Sequence, residues 1–275
     1  DIPGNYIYKT LGNGTSCIIG PNVDLSGLHF DNTDLTNLQF ENVNLMNTTF
    51  IHAITGPLQN TVSVRNLPSE YSLIRDYNGN IYIIGKYTNL KDINLKNIDL
   101  SGIDVTGIDL SISNLYQTYT AYLKGDAPIL PSNYIFREIN NIKCIIGPNI
   151  ELDGISFNSY DMKHFKLRNV SLTNCTFIHA KTGPVTGKPI SLPDQYTFKF
   201  IYREVEQSYI IGPYVDLSGA DLSGISLNNK NFKEYEAKAK LKLANTIYSI
   251  YDTTINDKYE ININQKVFNR IKNTL

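Results

Sequence analysis

Four histidines, three cysteines and 26 acidic residues are the side chains of this 275-residue chain best suited to metal binding or acid–base work. His52 and His179 stand in one repeated phrase, Thr-Phe-Ile-His-Ala, at Thr49–Ala53 and again at Thr176–Ala180. A metal needs its ligands within a few ångströms of each other. Residues that hold equivalent places in separate repeats are expected to lie far apart, so both histidines read as corner or surface residues. Cys17 and Cys144 are equivalent in the same way and too distant to bridge. Cys175 falls at an inward position and reads as a small core residue. Asp24, Asp34, Asp99, Asp104, Asp109, Asp216 and Asp221 recur in outward columns. Stacked carboxylates could hold cations or act as an acid/base pair; the plainer reading is a solvated face or a set of hydrogen-bond acceptors at corners.

An enzyme needs converging groups in a cleft, and no Ser/His/Asp order or histidine cluster offers them. The stretch Gly183 to Lys188 is one residue too short for a phosphate-binding loop, and Pro189 stands where its hydroxyl residue belongs. Asn13, Asn47, Asn169 and Asn174 begin glycosylation triplets, which chance supplies in a chain this rich in Asn and Thr. The 19 tyrosines could form an adhesive surface, but Tyr6, Tyr71, Tyr134 and Tyr196 recur with the repeats, which favours packing. The sequence therefore assigns no catalytic, cofactor-binding or metal residue.

Composition narrows the classes further. A net charge of −1 with 19% charged residues argues against a basic nucleic-acid-binding face and against an acidic mimic of DNA. At 41% hydrophobic residues the chain can bury a sizeable core. No apolar run approaches the roughly 18 residues of a membrane span, and residues 1–10 lack the basic-then-apolar pattern of a signal peptide.

Self-similarity supplies the elements that position these residues. Ile2-Pro3-Gly4-Asn5-Tyr6, Leu67-Pro68-Ser69-Glu70-Tyr71, Leu130-Pro131-Ser132-Asn133-Tyr134 and Leu192-Pro193-Asp194-Gln195-Tyr196 are one phrase written four times. Each is followed by Ile-Ile-Gly, ending at Gly20, Gly85, Gly147 and Gly212. Inside these modules runs a period of five. Module one gives Leu25, Phe30, Leu35, Phe40, Leu45 and Phe50. Module two gives Leu90, Leu95, Leu100, Val105, Leu110 and Leu115. Module three gives Leu152, Phe157, Met162, Leu167, Leu172 and Phe177, and module four Leu217, Leu222, Leu227 and Phe232. Chance would make every one of them apolar with a probability on the order of 10⁻⁹, so the period is a structural signal. Neither a helix nor a flat strand predicts it.

Period five fits a chain that runs extended for three residues and then turns a corner. The residue two before each centre should also face inward; Val23, Leu28, Thr33, Leu38, Val43 and Thr48 suit that place. The residue two after should sit in the corner, and there stand Gly27, Asn32, Asn37, Asn42 and Asn47. Gly and Asn tolerate the positive φ that tight corners need. Four corners make a square coil of about twenty residues, stacking at roughly 4.8 Å per coil. Phe30 should then lie on Phe50, Phe157 on Phe177 and Leu25 on Leu45.

These blocks resemble pentapeptide repeats; Val215-Asp216-Leu217-Ser218-Gly219-Ala220-Asp221-Leu222-Ser223-Gly224 follows that pattern almost letter for letter. The resemblance implies a mainly β fold, a right-handed quadrilateral parallel β-helix. The longer module resembles those of pentapeptide-repeat proteins in large DNA viruses and aquatic microbes. It departs at Lys86, where Pro is usual, and in the polar stretch 158–164.

The domain reading is a β-helix over 1–232, in modules of about 1–65, 66–128, 129–190 and 191–232, followed by a helical segment, 233–275. A helix is expected over 234–251 and a shorter one over 265–275. They would cap the exposed end of the last coil, dock a partner, or do both. The stretches 53–87 and 116–149 hold β-prone runs and are expected to be less regular coils or hairpins lying on the stack.

The functional expectation is a non-enzymatic structural or scaffold protein, needing no cofactor. It would contact other proteins of a larger assembly, with neither nucleic acid nor membrane as partner. The viral look of the modules points to a minor capsid, cement or surface component of a virion. The alternatives are an inhibitor of the DNA-mimic, topoisomerase-binding type and a carbohydrate-active β-helix enzyme.

Overall fold

The computed structural model describes residues 2–59, 63–90, 93–201, 207–212 and 214–217. The expected helical segment 233–275, and with it Asp221, Leu222, Leu227 and Phe232, lies outside the described residues. The chain divides into two compact units, 1–137 with 143–145, and 138–142 with 146–275. Regular structure among the described residues is entirely β: β1 (Ile7–Thr10), β2 (Ser16–Ile19), β3 (Glu41–Asn44), β4 (Ser63–Arg65), β5 (Tyr71–Arg75), β6 (Ile81–Gly85), β7 (Ile135–Ile139), β8 (Ile142–Ile146), β9 (Thr197–Ile201) and β10 (Gln207–Ile211). Every sheet is two-stranded.

In the first unit the chain bonds to itself twenty residues on. Parallel bridges join Asp24 to Asn44, His29 to Thr49 and Asp34 to Ile54, and later Asp99 to Tyr119, Asp104 to Lys124 and Asp109 to Ile129. Backbone bonds run both ways: Leu25 N–H donates to Asn44 C=O at 3.0 Å, and Asn44 N–H to Val23 C=O at 3.2 Å. β3 and β4 continue the parallel pairing, Asn44 against Arg65. The second unit repeats the pattern, Glu151 with Ser171, Ser156 with Thr176, Asp161 with Lys181 and Lys166 with Thr186. The polar stretch 158–164 keeps the register.

Five of the six corners from Gly27 to His52 are hydrogen-bonded turns, the exception being that at Asn42. Leu28 N–H donates to Leu25 C=O, Thr33 to Phe30, Leu38 to Leu35, Thr48 to Leu45 and Ala53 to Phe50, all between 3.0 and 3.2 Å. The third residue of each has positive φ, 72° at Gly27 and 53–60° at Asn32, Asn37, Asn42, Asn47 and His52. Positive φ there, and not at the second residue, is the mark of a type II turn, which explains the Gly/Asn column. In the second unit the left-handed corner recurs every five residues from Asn149 through Gly154, Ser159, His164, Asn169 and Asn174 to His179.

Hairpins occupy the interruptions. β1–β2, β5–β6, β7–β8 and β9–β10 are antiparallel pairs, each falling between a Leu-Pro (or Ile-Pro) phrase and an Ile-Ile-Gly. Where one intervenes, the parallel bridge spans 35 residues, Ile54 to Asn89 and Lys181 to Asp216. Thirty-five is twenty plus fifteen, so the inserted hairpin preserves the phase of five.

Candidate functional site

The residues at five-residue spacing line the interior. Leu25, Phe30, Leu35, Phe40, Leu45 and Phe50 are buried, as are Leu90, Leu95, Leu100, Val105, Leu110 and Leu115 in the first unit. In the second, Leu152, Phe157, Met162, Leu167, Leu172, Phe177 and Leu217 are buried. Phe30 stacks on Phe50 with centroids 5.4 Å apart and planes 9° from parallel; Phe157 and Phe177 do the same at 5.5 Å and 8°. Two threonines that face inward are satisfied by carbonyls: Thr48 Oγ1 donates to Leu45 C=O and Thr118 Oγ1 to Leu95 C=O, both at 2.8 Å.

Five of the outward aspartates are structural. Asp24 accepts the amide of Ser26, Asp34 that of Thr36, Asp99 that of Ser101, Asp104 that of Thr106 and Asp109 that of Ser111, at 2.7–3.0 Å. Each carboxylate thus closes an Asx turn at the approach to a corner. The backbone N–H of Ser26 holds the Asp24 carboxyl below its ordinary value, and the Ser111 hydroxyl and N–H do so for Asp109. Asp31 and Asp153 stand one residue after a centre and reach the adjacent coil, accepting the amides of Ile51 and Thr173.

His52 and His179 are exposed corner residues at φ 57° and 58°. Each donates its backbone N–H to a second corner 35 residues on, His52 to Tyr87 and His179 to Tyr214. Among the described residues, no group of three or more His, Cys, Asp or Glu could hold a metal ion. Asn13 sits in the β1–β2 turn, and Asn47, Asn169 and Asn174 are exposed corners. Residues 183–188 form a coil rung, with Pro184 C=O accepting from His164 and Lys188 C=O from Asn169.

All three cysteines are free thiols. Burial pushes Cys144 and Cys175 up to about 12, and raises half-buried Cys17 less. Cys175 Sγ lies 3.1 Å from the Leu152 carbonyl it donates to. A pocket of about 390 Å³ in the first unit is lined by Asn89, Ile93, Asn94, Asp109, Ile112 and Asn114 among others. The Asp109, Asn94 and Asn114 side chains already accept turn amides, and among the described residues that line it there is no basic group. Beside it the Lys96 ammonium lies over the rings of Tyr77 and Tyr116, 4.2 and 5.6 Å from their centroids.

One recurrent arrangement escaped the sequence reading. The Pro-x-x-Tyr phrase is a turn in all four copies, Tyr N–H donating to Pro C=O at 2.9 Å. It lays the tyrosine ring on the glycine that ends Ile-Ile-Gly. A Cβ on Gly20 would fall 2.4 Å from Tyr6, on Gly85 2.8 Å from Tyr71, and on Gly212 2.2 Å from Tyr196. Both phrases are visible in the sequence; that one receives the other is not.

No helix among the described residues is long and apolar enough to cross a membrane. Residues 22–53 match the family model of pentapeptide repeats, in eight copies. No curated protein and no solved structure matches the chain.

Proposed function

The chain is a pentapeptide-repeat protein, and from that premise we propose that it is a non-enzymatic scaffold whose business is contact with other proteins in a larger assembly. The observation that carries this reading is the use made of the outward polar columns. Asp24, Asp34, Asp99, Asp104 and Asp109 are committed to backbone amides, so the chemistry-bearing side chains serve the wall itself. What the wall offers is a backbone ladder of fixed spacing, suited to lateral or end-on packing.

The finer architecture belongs to the same proposal. The coils are a right-handed, four-sided β-helix built as four modules, and beyond the described residues the proposal carries the inner columns on through Leu222, Leu227 and Phe232 to a helical segment, 233–275, that caps the last coil or docks a partner. Twenty-residue bridges and five-residue corners support the four-sided coil. The assembly proposed is a particle, with protein partners and neither nucleic acid nor membrane. The test is native purification followed by sedimentation. The chain is expected to travel with a large particle or oligomer; a monomer with no associated protein overturns the reading.

A further inference from the structure

The chain has two Asn-Gly pairs, Asn13-Gly14 and Asn78-Gly79. They stand at the tips of the β1–β2 and β5–β6 hairpins, and both asparagines are exposed. The two tips share one backbone. Gly14 N–H donates to Leu11 C=O at 2.9 Å and Leu11 N–H to Thr15 C=O at 2.7 Å. Gly79 N–H donates to Asp76 C=O at 3.0 Å and Asp76 N–H to Asn80 C=O at 2.8 Å. The glycines hold φ of 85° and 88°, and nothing lies within 4 Å of the place a Cβ would take on either. An asparagine followed by glycine is open to attack by its own backbone. The glycine nitrogen reaches the side-chain carbonyl carbon with no Cβ in the way, and a five-membered ring closes. Both tips meet that steric condition equally.

They differ in what takes the amide two residues after the asparagine. In the first tip Thr15 N–H donates to Asn13 Oδ1 at 3.0 Å. In the second, Asp76 stands where the first has Leu11. Its carboxylate accepts the amides of Asn78 and Asn80 at 2.9 and 2.8 Å, and the Asn80 side-chain amide at 3.2 Å. Among the described residues nothing donates to Asn78 Oδ1. Attack on the side-chain carbon turns Oδ1 into an oxyanion. A backbone N–H already aimed at that oxygen stabilises the charge as it develops, whereas a neighbouring carboxylate opposes it. Asn13 is therefore prepared for ring closure, and Asn78, on the same backbone, is not.

We propose that Asn13 is a self-modification site, converted in the folded chain to isoaspartate and aspartate while Asn78 is spared. The Gly14 nitrogen gives its proton to solvent and bonds to Asn13 Cγ. The Cγ–Nδ2 bond breaks, the side-chain nitrogen takes up a proton and leaves as ammonia, and a cyclic imide remains. Water then opens the ring. Addition at the main-chain carbonyl gives isoaspartate, with the chain running through the former side chain; addition at Cγ gives aspartate. One water enters and one ammonia leaves, with nothing oxidised or reduced. The product places a carboxylate where a neutral amide stood, and isoaspartate lengthens the β1–β2 tip by one backbone carbon. The step needs no partner and stands apart from the scaffold reading.

The test is incubation of the full chain at pH 8 in water enriched in oxygen-18, with peptide mass mapping and enzymatic methylation of isoaspartate as readouts. Each site's rate is divided by its rate in the same chain unfolded in urea, which removes the effect of local sequence. On that scale Asn13 is expected to react about tenfold faster than Asn78, the worth of one hydrogen bond to the reacting oxygen. Thr15→Pro removes the N–H and should slow Asn13 about tenfold. Unfolding cannot mimic that fall, since it frees the Gly14 amide from Leu11. Asp76→Leu gives the second tip the first one's residue and should raise Asn78 toward Asn13, with the β5–β6 amides still protected from hydrogen exchange. Four results overturn the proposal: no isoaspartate at Asn13, equal normalised rates in the folded wild type, a faster Asn78, or a Thr15→Pro rate no lower than that of the wild type. None of them bears on whether the chain travels with a particle, so the two readings fall separately.

Discussion

The ring of Tyr71 meets Phe50 edge-on, with centroids 5.0 Å apart, while the Phe50 amide donates to the Tyr71 hydroxyl at 3.3 Å. Tyr196 meets Phe177 in the same way at 5.0 Å. In these two Pro-x-x-Tyr turns the tyrosine rests on the phenylalanine that ends a stacked column, and Tyr71 supplies the acceptor that column lacks. Desolvation raises both phenols above their ordinary value. The hairpin is thereby fastened to the coil through one side chain.

Tyr71→Phe should keep the packing and leave the Phe50 amide without its acceptor, costing about 1–3 kcal/mol. Tyr71→Ala should cost about 3–5 kcal/mol, since it also opens a cavity over Phe50. Denaturant unfolding followed by tyrosine fluorescence checks both. Equal losses in the two variants would mean that the ring contributes nothing beyond its hydroxyl.

Gly85 and Gly27 should respond differently to alanine. At Gly27 nothing lies within 4 Å of a new Cβ, so the penalty is the left-handed φ of 72° alone, about 1–2 kcal/mol. At Gly85 the new carbon would fall 2.1 Å from the Glu70 carbonyl and 2.9 Å from Tyr71 Cα, and backbone cannot move aside cheaply. Thermal unfolding of Gly85→Ala is therefore expected well below that of Gly27→Ala.

Phe30→Ala and Phe50→Ala should each cost about 3–5 kcal/mol. The double variant should lose less than their sum, with a coupling of about 0.5–1.5 kcal/mol for a stacked pair. A double-mutant cycle in urea measures it; additivity would mean that the parallel rings are neighbours without being partners.

The depressed carboxyls of Asp24 and Asp109 fix a direction for acid stability. A lowered folded pKa contributes stability that is complete above the unfolded value, near 3.8, and is lost as pH falls below it toward the folded value. Unfolding free energy should thus be level through neutral pH and decline below about pH 4. Asp109→Asn keeps the turn acceptor and should flatten part of that decline, whereas Asp109→Ala should lower stability at neutral pH as well.

Thiol labelling at pH 8 should modify Cys17 first. Cys144 and Cys175, held near 12 by burial, should react only when denaturant exposes them. Mass spectrometry of partly labelled protein resolves the order.

The sequence by itself determined everything that depends on one residue type recurring at one spacing. Leucine and phenylalanine every fifth residue, with Gly or Asn two places later, specify an apolar centre followed by a positive-φ corner, because each requirement is local and leaves its own column. The aspartates before the corners were legible for the same reason, being Asx acceptors that reach two residues along. What only the tertiary structure decided is which recurrent phrase meets which. The Tyr71 ring lies on Gly85 and against Phe50, and a coil segment lies along β6; these partners stand fourteen to twenty-eight residues apart with no common period. A glycine kept bare by a neighbouring ring is spelled the same way as one kept for its φ, so Gly85 and Gly27 could not be told apart until the chain was folded.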